Sequence, residues 1–146
     1  MTPPPLKLDD HLCFSIYAAA HAFNRLYKPV LDDLGLTYPQ YLTMVALWQE
    51  DGQRVSSIGE KLYLESSTLT PLLKRLEAAG LVTRERDRAD ERQVLIRLTD
   101  TGRALQDRAG AVPACVLNTS GMSIAELQAL NREVQALRRA LDRSAA

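Results

Sequence analysis

VSSIGEKLYLESSTLTPLLKRLEAAGLVTRERDRADERQVLIRLT, residues 55–99, reads as two short helices followed by an arginine-studded hairpin. The first helix is expected from about Ser56 to Tyr63. The second is expected from about Ser66 to Ala79, with Ser and Thr available to cap its start and Gly80 to end it. Leu69, Leu72, Leu73 and Leu76 repeat at i, i+3, i+4, i+7 and form one apolar stripe, leaving Ser67, Thr70, Pro71, Lys74 and Arg75 outward. Small hydroxyls and cations on such a face suit base edges and phosphates. Pro71 has no backbone N–H to donate and is expected in the opening turn of this helix, or as a slight bend there.

Beyond Gly80, LVTRER and QVLIRL flank the polar segment DRADE with apolar residues alternating on each arm, the pattern of two strands joined by a turn. A helix pair alone would suit an ordinary scaffold. The order helix, helix, Gly, Arg-rich hairpin points to a winged helix-turn-helix, with the second helix in the major groove of double-stranded DNA and a wing arginine in the adjacent minor groove. The expected contacts are Ser67, Thr70 and Lys74 from the helix, and Arg86 and Arg92 from the wing. Over residues 74–103 eight basic side chains face six acidic ones, a local excess of two in a chain whose net charge is zero and whose pI is about 6.7. Geometry rather than bulk charge must therefore present the cations. Asp90 is expected to support the wing, because a neighbouring carboxylate can hold an Arg extended through a charge-assisted pair.

The fold class expected is mainly α with a small β-hairpin wing: about 37–99 as the DNA-binding region, with helical dimerisation regions at about 8–36 and 100–146. A chain of 146 residues, 46% hydrophobic, can bury one core. No run approaches the roughly 18 apolar residues of a membrane span, and the start, MTPPPLKLDD, lacks a leader pattern, so a cytoplasmic protein with no membrane partner is expected. The three prolines near the start predict an extended tail over residues 1–7. A helix from about Asp10 to Asp33 carries more apolar surface (Leu12, Ile16, Phe23, Leu26, Val30, Leu31) than one neighbour covers. Thr37-Tyr38-Pro39-Gln40 and Ser123-Ile124-Ala125-Glu126 resemble capping boxes that open further helices. Leu127, Leu130, Val134, Leu137 and Leu141 step by three and four along the last one. A homodimer on a pseudo-palindromic site is the natural expectation.

Two cysteines, Cys13 and Cys115, stand far apart in sequence. No CxxC, His pair or third ligand supports a metal site, His11 and His21 lack ligand spacing, and no motif requires a cofactor. Their own residues leave two readings open, inert packed thiols or redox chemistry. Cys13 falls in the opening turn of the first helix, where free amides favour thiolate, while Asp9 and Asp10 oppose it.

The chain resembles the MarR family of regulators, and within it the organic-hydroperoxide-sensing OhrR branch. The resemblance rests on LCFSIYAA (12–19), LYKPVLDDLGLTYPQYL (26–42), GEKLYLESSTLTPLLKRLEAAGLV (59–82) and the wing RADERQVLIRLT (88–99). The Asp-x-Arg of the wing, here Asp90 and Arg92, is shared by the family at large. Cys13, Tyr27 and Tyr38 together belong to the branch. The resemblance implies that Cys13 is the redox sensor, oxidised by an organic hydroperoxide. It also implies that Tyr27 and Tyr38 hydrogen-bond its sulfur across a dimer interface, and that Cys115 is the resolving cysteine in an intersubunit disulfide that releases DNA. Two other readings remain: a MarR-like repressor of passive cysteines that answers a small aromatic or anionic ligand, and, less favoured, a thiol peroxidase.

Overall fold

A computed structural model describes residues 1–3 and 6–145; residues 4 and 5, within the expected tail, lie outside the described residues. The chain divides into two compact units, Met1–Gly110 and Ala111–Ala146.

In the first unit a single 3-10 turn, Leu8–Asp10, precedes helix α1, Leu12–Leu34. The start falls two residues later than the periodicity suggested, with His11 as its cap. Helix α2 is Tyr38–Gln49, and the capping box read from the sequence is formed. Thr37 Oγ1 accepts from the Gln40 amide at 3.3 Å and Gln40 Oε1 from the Thr37 amide at 2.9 Å, satisfying two orphan donors reciprocally. Pro39 sits in the first turn, where its missing N–H costs nothing. Met44 and Leu47 on this helix are fully buried and centre the core.

Helices α3, Val55–Leu62, and α4, Ser66–Ala78, are the expected pair. Tyr63, between them, adopts the left-handed conformation (φ 57°, ψ 39°) that makes so short a turn possible. Leu69, Leu73 and Leu76 are essentially inaccessible and Leu72 is buried, so the stripe does what its spacing predicts. Each such leucine stabilises the fold by about 1.5–3 kcal/mol. Two local expectations need correction. The cap of α4 is Glu65 with no side-chain cap bond, and Ser66 is already the first helical residue. Pro71 lies in the sixth position of α4, past the opening turn, where it deprives the Ser67 carbonyl of its usual intrahelical donor. At the other end Gly80, at φ 77°, closes the helix. Its amide donates to the Glu77 carbonyl at 2.9 Å and that of Leu81 to the Leu76 carbonyl at 3.0 Å, a Schellman arrangement that needs a residue tolerant of positive φ.

Strands β2, Val82–Arg86, and β3, Val94–Leu98, form the hairpin, in register from Val82 opposite Leu98 to Arg86 opposite Val94. A third strand was not foreseen: β1, Gln53–Arg54, pairs antiparallel with β3, giving the order β1-β3-β2. Gln53 is buried and its amide fully used. Its Nε2 donates to the Ala46 and Glu50 carbonyls at 2.8 and 2.6 Å, and its Oε1 accepts from Lys61 Nζ at 2.7 Å. Helix α5, Asp100–Ala109, opens with Thr99, whose Oγ1 accepts from the Gly102 amide and donates to the Gly80 carbonyl. Gly102 lies so close to the Leu81 carbonyl that a Cβ there would collide with backbone. Its own carbonyl accepts from Trp48 Nε1 at 2.9 Å, which anchors Trp48 as packing rather than chemistry.

The second unit holds α6, Ala111–Ser120, and α7, Ile124–Ala145. The second capping box is formed too, Ser123 Oγ and Glu126 Oε1 each accepting the other residue's amide. Leu130, Val134 and Leu141 of the α7 seam are exposed.

Candidate functional site

Two groups of side chains carry the chemistry expected from the sequence. On α4, Ser67, Pro71, Lys74 and Arg75 are exposed, while Thr70 is half-buried, less exposed than the spacing suggested. On the hairpin, Arg86, Arg88 and Arg92 are all exposed, and Arg92 stands at the tip. Its side chain is 89% exposed, yet Nε and Nη2 donate to Asp90 Oδ1 and Oδ2 at 3.1 and 3.3 Å. The Arg92 side chain, then its backbone amide, hold the Asp90 carboxyl below its ordinary pKa. Asp90 thus stays ionised and splints Arg92 outward. Arg86 is exposed but spends one guanidinium N–H on the Glu91 carbonyl at 2.7 Å.

The periodicity gave no sign of three contacts that bind the wing to the helix pair. Arg54 Nε, at the cap of α3, donates to Asp87 Oδ2 at 2.8 Å; Asp87 is mostly buried, and its other oxygen accepts the Ala89 amide at 2.9 Å. The Ala89 amide first, then Arg54, lower the Asp87 pKa. Ser56 Oγ lies 3.4 Å from Gln93 Oε1. Glu77 on α4 accepts from the Arg84 amide of β2 at 3.3 Å, with the Arg84 guanidinium 3.8 Å away.

Cys13 is the second residue of α1, in its opening turn as expected, and is exposed. Amides in that turn have no intrahelical acceptors. Tyr27 is buried, Tyr38 half-buried, and their rings stack with centroids 5.4 Å apart. Phe23 stacks on Tyr27 at 5.8 Å, and Tyr41 continues from Tyr38 toward Trp48. Burial pushes the Tyr38 phenol above its ordinary pKa, so it remains a donor at neutral pH. A cleft of about 210 Å³ is lined by Ala20, Phe23, Asn24, Tyr27 and Tyr38. The tyrosines are therefore brought together, but Cys13 is not brought to them. Fourteen residues of one helix separate Cys13 from Tyr27, about 21 Å at the helical rise. Cys13, Tyr17, Ala20, Asn24 and Tyr27 nevertheless step by four and three and share one face of α1, with every member except Tyr27 exposed. That spacing was available in the sequence and would have found Ala20 and Asn24. In the second unit Cys115 is half-exposed on α6, and its thiol donates to the Ala111 carbonyl at 3.2 Å. No group of His, Cys, Asp and Glu suited to a metal ion occurs among the described residues. No helix among them is long and apolar enough to cross a membrane.

Two helices joined by a tight turn, a glycine-capped second helix and an arginine-tipped hairpin on a three-stranded sheet define a winged helix-turn-helix protein. Residues 25–109 match the family described as transcriptional regulator SarA/Rot. The chain is 52% identical to the HTH-type transcriptional regulator TtmR of Methylorubrum extorquens, over 92% of this chain and 69% of that one. It is 45% identical to the organic hydroperoxide resistance transcriptional regulator of Bacillus subtilis, over 90% of each. Among solved structures it is similar to AbfR of Staphylococcus epidermidis. Reduced AbfR bound to DNA superposes with a TM-score of 0.82 at 38% identity, covering 95% of each chain. The disulfide-formed AbfR gives 0.66 at 39%, covering 93% of this chain and 90% of that one. The chain belongs to the SarA/Rot family, a MarR-like group of winged-helix transcriptional regulators. The expected fold class and the resemblance to the hydroperoxide-sensing branch are both borne out.

Proposed function

We propose that this regulator is a dimeric, peroxide-responsive DNA-binding repressor acting in the cytoplasm, with Cys13 as its sensor and no enzymatic turnover. The observation that carries the reading is the face of α1. Cys13 and Tyr27 stand seven residues either side of Ala20, so an antiparallel pairing of α1 with a second copy, centred on Ala20, would bring Cys13 opposite the partner subunit's Tyr27. The small side chain at Ala20 suits a close crossing. A single chain holds the tyrosine cleft and the thiol far apart; the pair would complete the site twice. Exposure of Leu12, Ile16 and Phe23 along α1, and of Leu130, Val134 and Leu141 along α7, supports a partner copy.

In that site the two phenols donate to sulfur and favour the thiolate, while the surrounding rings suit an alkyl group. The thiolate attacks the terminal oxygen of an organic hydroperoxide. The S–O bond forms as the O–O bond breaks, sulfur loses two electrons, and the alkoxide takes a proton to leave as the alcohol. Cys115 of the other subunit would then give up its bond to the Ala111 carbonyl and condense with the sulfenic acid, forming S–S and releasing water. Closing two sulfurs to about 2.05 Å moves the helices that bear them and turns the readers out of register. The structures of AbfR, one reduced and bound to DNA and one with a disulfide formed, support a switch of this kind in a similar protein. For DNA, Ser67, Thr70 and Lys74 are assigned to the major groove and Arg86 and Arg92 to the wing, with Asp90 supporting Arg92.

The test is DNA binding by reduced protein during stoichiometric titration with cumene hydroperoxide, for wild type, Cys13→Ser and Cys115→Ser, with non-reducing gels alongside. Release that needs Cys13, and a covalent dimer that needs both cysteines, are the expected results. Release by Cys13→Ser equal to wild type would overturn the sensor and favour a repressor answering a small ligand.

A further inference from the structure

We infer that Arg54 is a positioning residue for DNA reading: through Asp87 it fixes the angle at which the wing arginines meet DNA. This rests on the DNA-binding reading above. Arg54 belongs to two elements at once, as the last residue of β1 and the cap of α3, so its backbone is tied both to the sheet and to the helix pair. Its Nε reaches Asp87, the residue immediately after β2, where the hairpin leaves the sheet. Asp87 is the shielded partner, with its side chain 15% exposed, and it uses both oxygens: one for Arg54, the other for the Ala89 amide in the turn. A second backbone tie, the Asp87 amide to the Gln93 carbonyl at 2.9 Å, closes the base of the same loop.

The loop so anchored runs from Arg88 to Arg92 and carries both exposed wing-tip cations, and Arg92 is already splinted by Asp90. Asp90 therefore fixes how Arg92 leaves the loop, whereas Arg54 fixes how the loop leaves the body. The Ser56–Gln93 contact lies beside it, and Glu77–Arg84 ties β2 to α4. A two-stranded hairpin would otherwise pivot at its base, since a hairpin alone is marginally stable. Held at both helices, the wing and α4 read their grooves as one rigid body, and an error of angle at the base becomes an error of position at Arg92. Arg54 itself needs no contact with DNA for this.

The experiment uses the full-length reduced protein and a labelled duplex that the wild type selects from a randomised pool, compared with variants of that duplex whose minor-groove segment is A·T-rich or G·C-rich. Arg54→Gln and Asp87→Asn should each bind the selected duplex about tenfold more weakly, the scale of one lost specific contact. Both should lose the discrimination between the A·T-rich and G·C-rich variants while still unfolding in one cooperative transition. Arg54→Lys, which keeps a cationic donor for Asp87 and leaves the Ala89 bond in place, should retain most of the affinity and the discrimination. Wild-type discrimination in Arg54→Gln, or a loss in Arg54→Lys as large as that in Arg54→Gln, overturns the inference. A wild-type protein that selects no duplex at all overturns the DNA-binding reading itself, and this inference with it.

Discussion

The winged reader and the proposed sensor of this protein are built to opposite degrees of completion. The winged module is finished within one chain: its helix pair buries Ile58, Leu69, Leu73 and Leu76, its sheet buries Val82 and Ile96, and ion pairs join the wing to both helices. The α1 face is left open, with its thiol exposed at one end and its tyrosine cleft at the other. Under the proposed function the contrast teaches that structure can be private to a chain while the response is not. A module that must present a fixed shape to a long rigid ligand gains from internal closure. A site meant to change its bonding gains from being assembled between copies, because changing it then moves one copy against the other.

The sharpest way to break the comparison is to substitute one leucine from each region. Leu73→Ala should lower the unfolding free energy by about 2–5 kcal/mol in denaturant titration. Leu12→Ala, exposed on α1, should cost less than about 0.5 kcal/mol in dilute protein, with the cost growing with protein concentration as copies associate. Equal costs at all concentrations would erase the distinction. Next in size, Cys13→Ser should leave reduced DNA affinity unchanged but remove the peroxide response, an allosteric coupling of about 1–3 kcal/mol, measured by fluorescence anisotropy before and after oxidant. Smaller again, Tyr38→Phe should slow the reaction of Cys13 with hydroperoxide about fivefold, one hydrogen bond of about 1 kcal/mol, with DNA binding by the reduced form intact. Stopped-flow thiol consumption measures it.

The two regions should also respond at opposite ends of the pH scale, and by the least. Asp87 and Asp90 are more acidic in the folded chain, so their contribution to stability is present above an ordinary carboxylate pKa of about 4 and fades as pH falls through their lowered values. Tyr38 is less acidic in the folded chain. Its contribution is present below about pH 10 and is lost as pH rises through its raised value. Unfolding midpoints measured across pH should show a shallower acid limb in Asp87→Asn, where Asp90 remains, and a shallower alkaline limb in Tyr38→Phe, where the raised Tyr41 remains.

Much of the reader was legible in the sequence because its signals are local. The leucine stripe of α4, the alternation of the hairpin and the boxes at Thr37 and Ser123 each lie within a few turns of chain, and each took the form its spacing required. The misses have physical causes. β1 is two residues long and too short to show any period, and it exists only because β3 offers an edge. Glu65 caps α4 without a side-chain bond, which no capping rule identifies, and Pro71 is tolerated inside α4 because its solvent face forgives a lost bond. Arg54 finds Asp87 thirty-three positions away, and separation in sequence hides such a partner. For the proposed sensor, Cys13, Tyr27 and Tyr38 were assigned by resemblance alone. Ala20 and Asn24, which line the cleft beside Tyr27, lay at a three-and-four spacing from Cys13 already present in the sequence.

Gly102 has a consequence in the currency of heredity. Its amide, its carbonyl and the emptiness where a side chain would stand are all committed, to Thr99, Trp48 and Leu81 respectively. Every missense change in that codon adds at least one carbon where the Leu81 carbonyl already is, so none is silent. A residue that touches neither DNA nor oxidant thereby becomes a codon at which a lineage has almost no freedom to drift, and where a single-base slip reaches the reader through the floor beneath it.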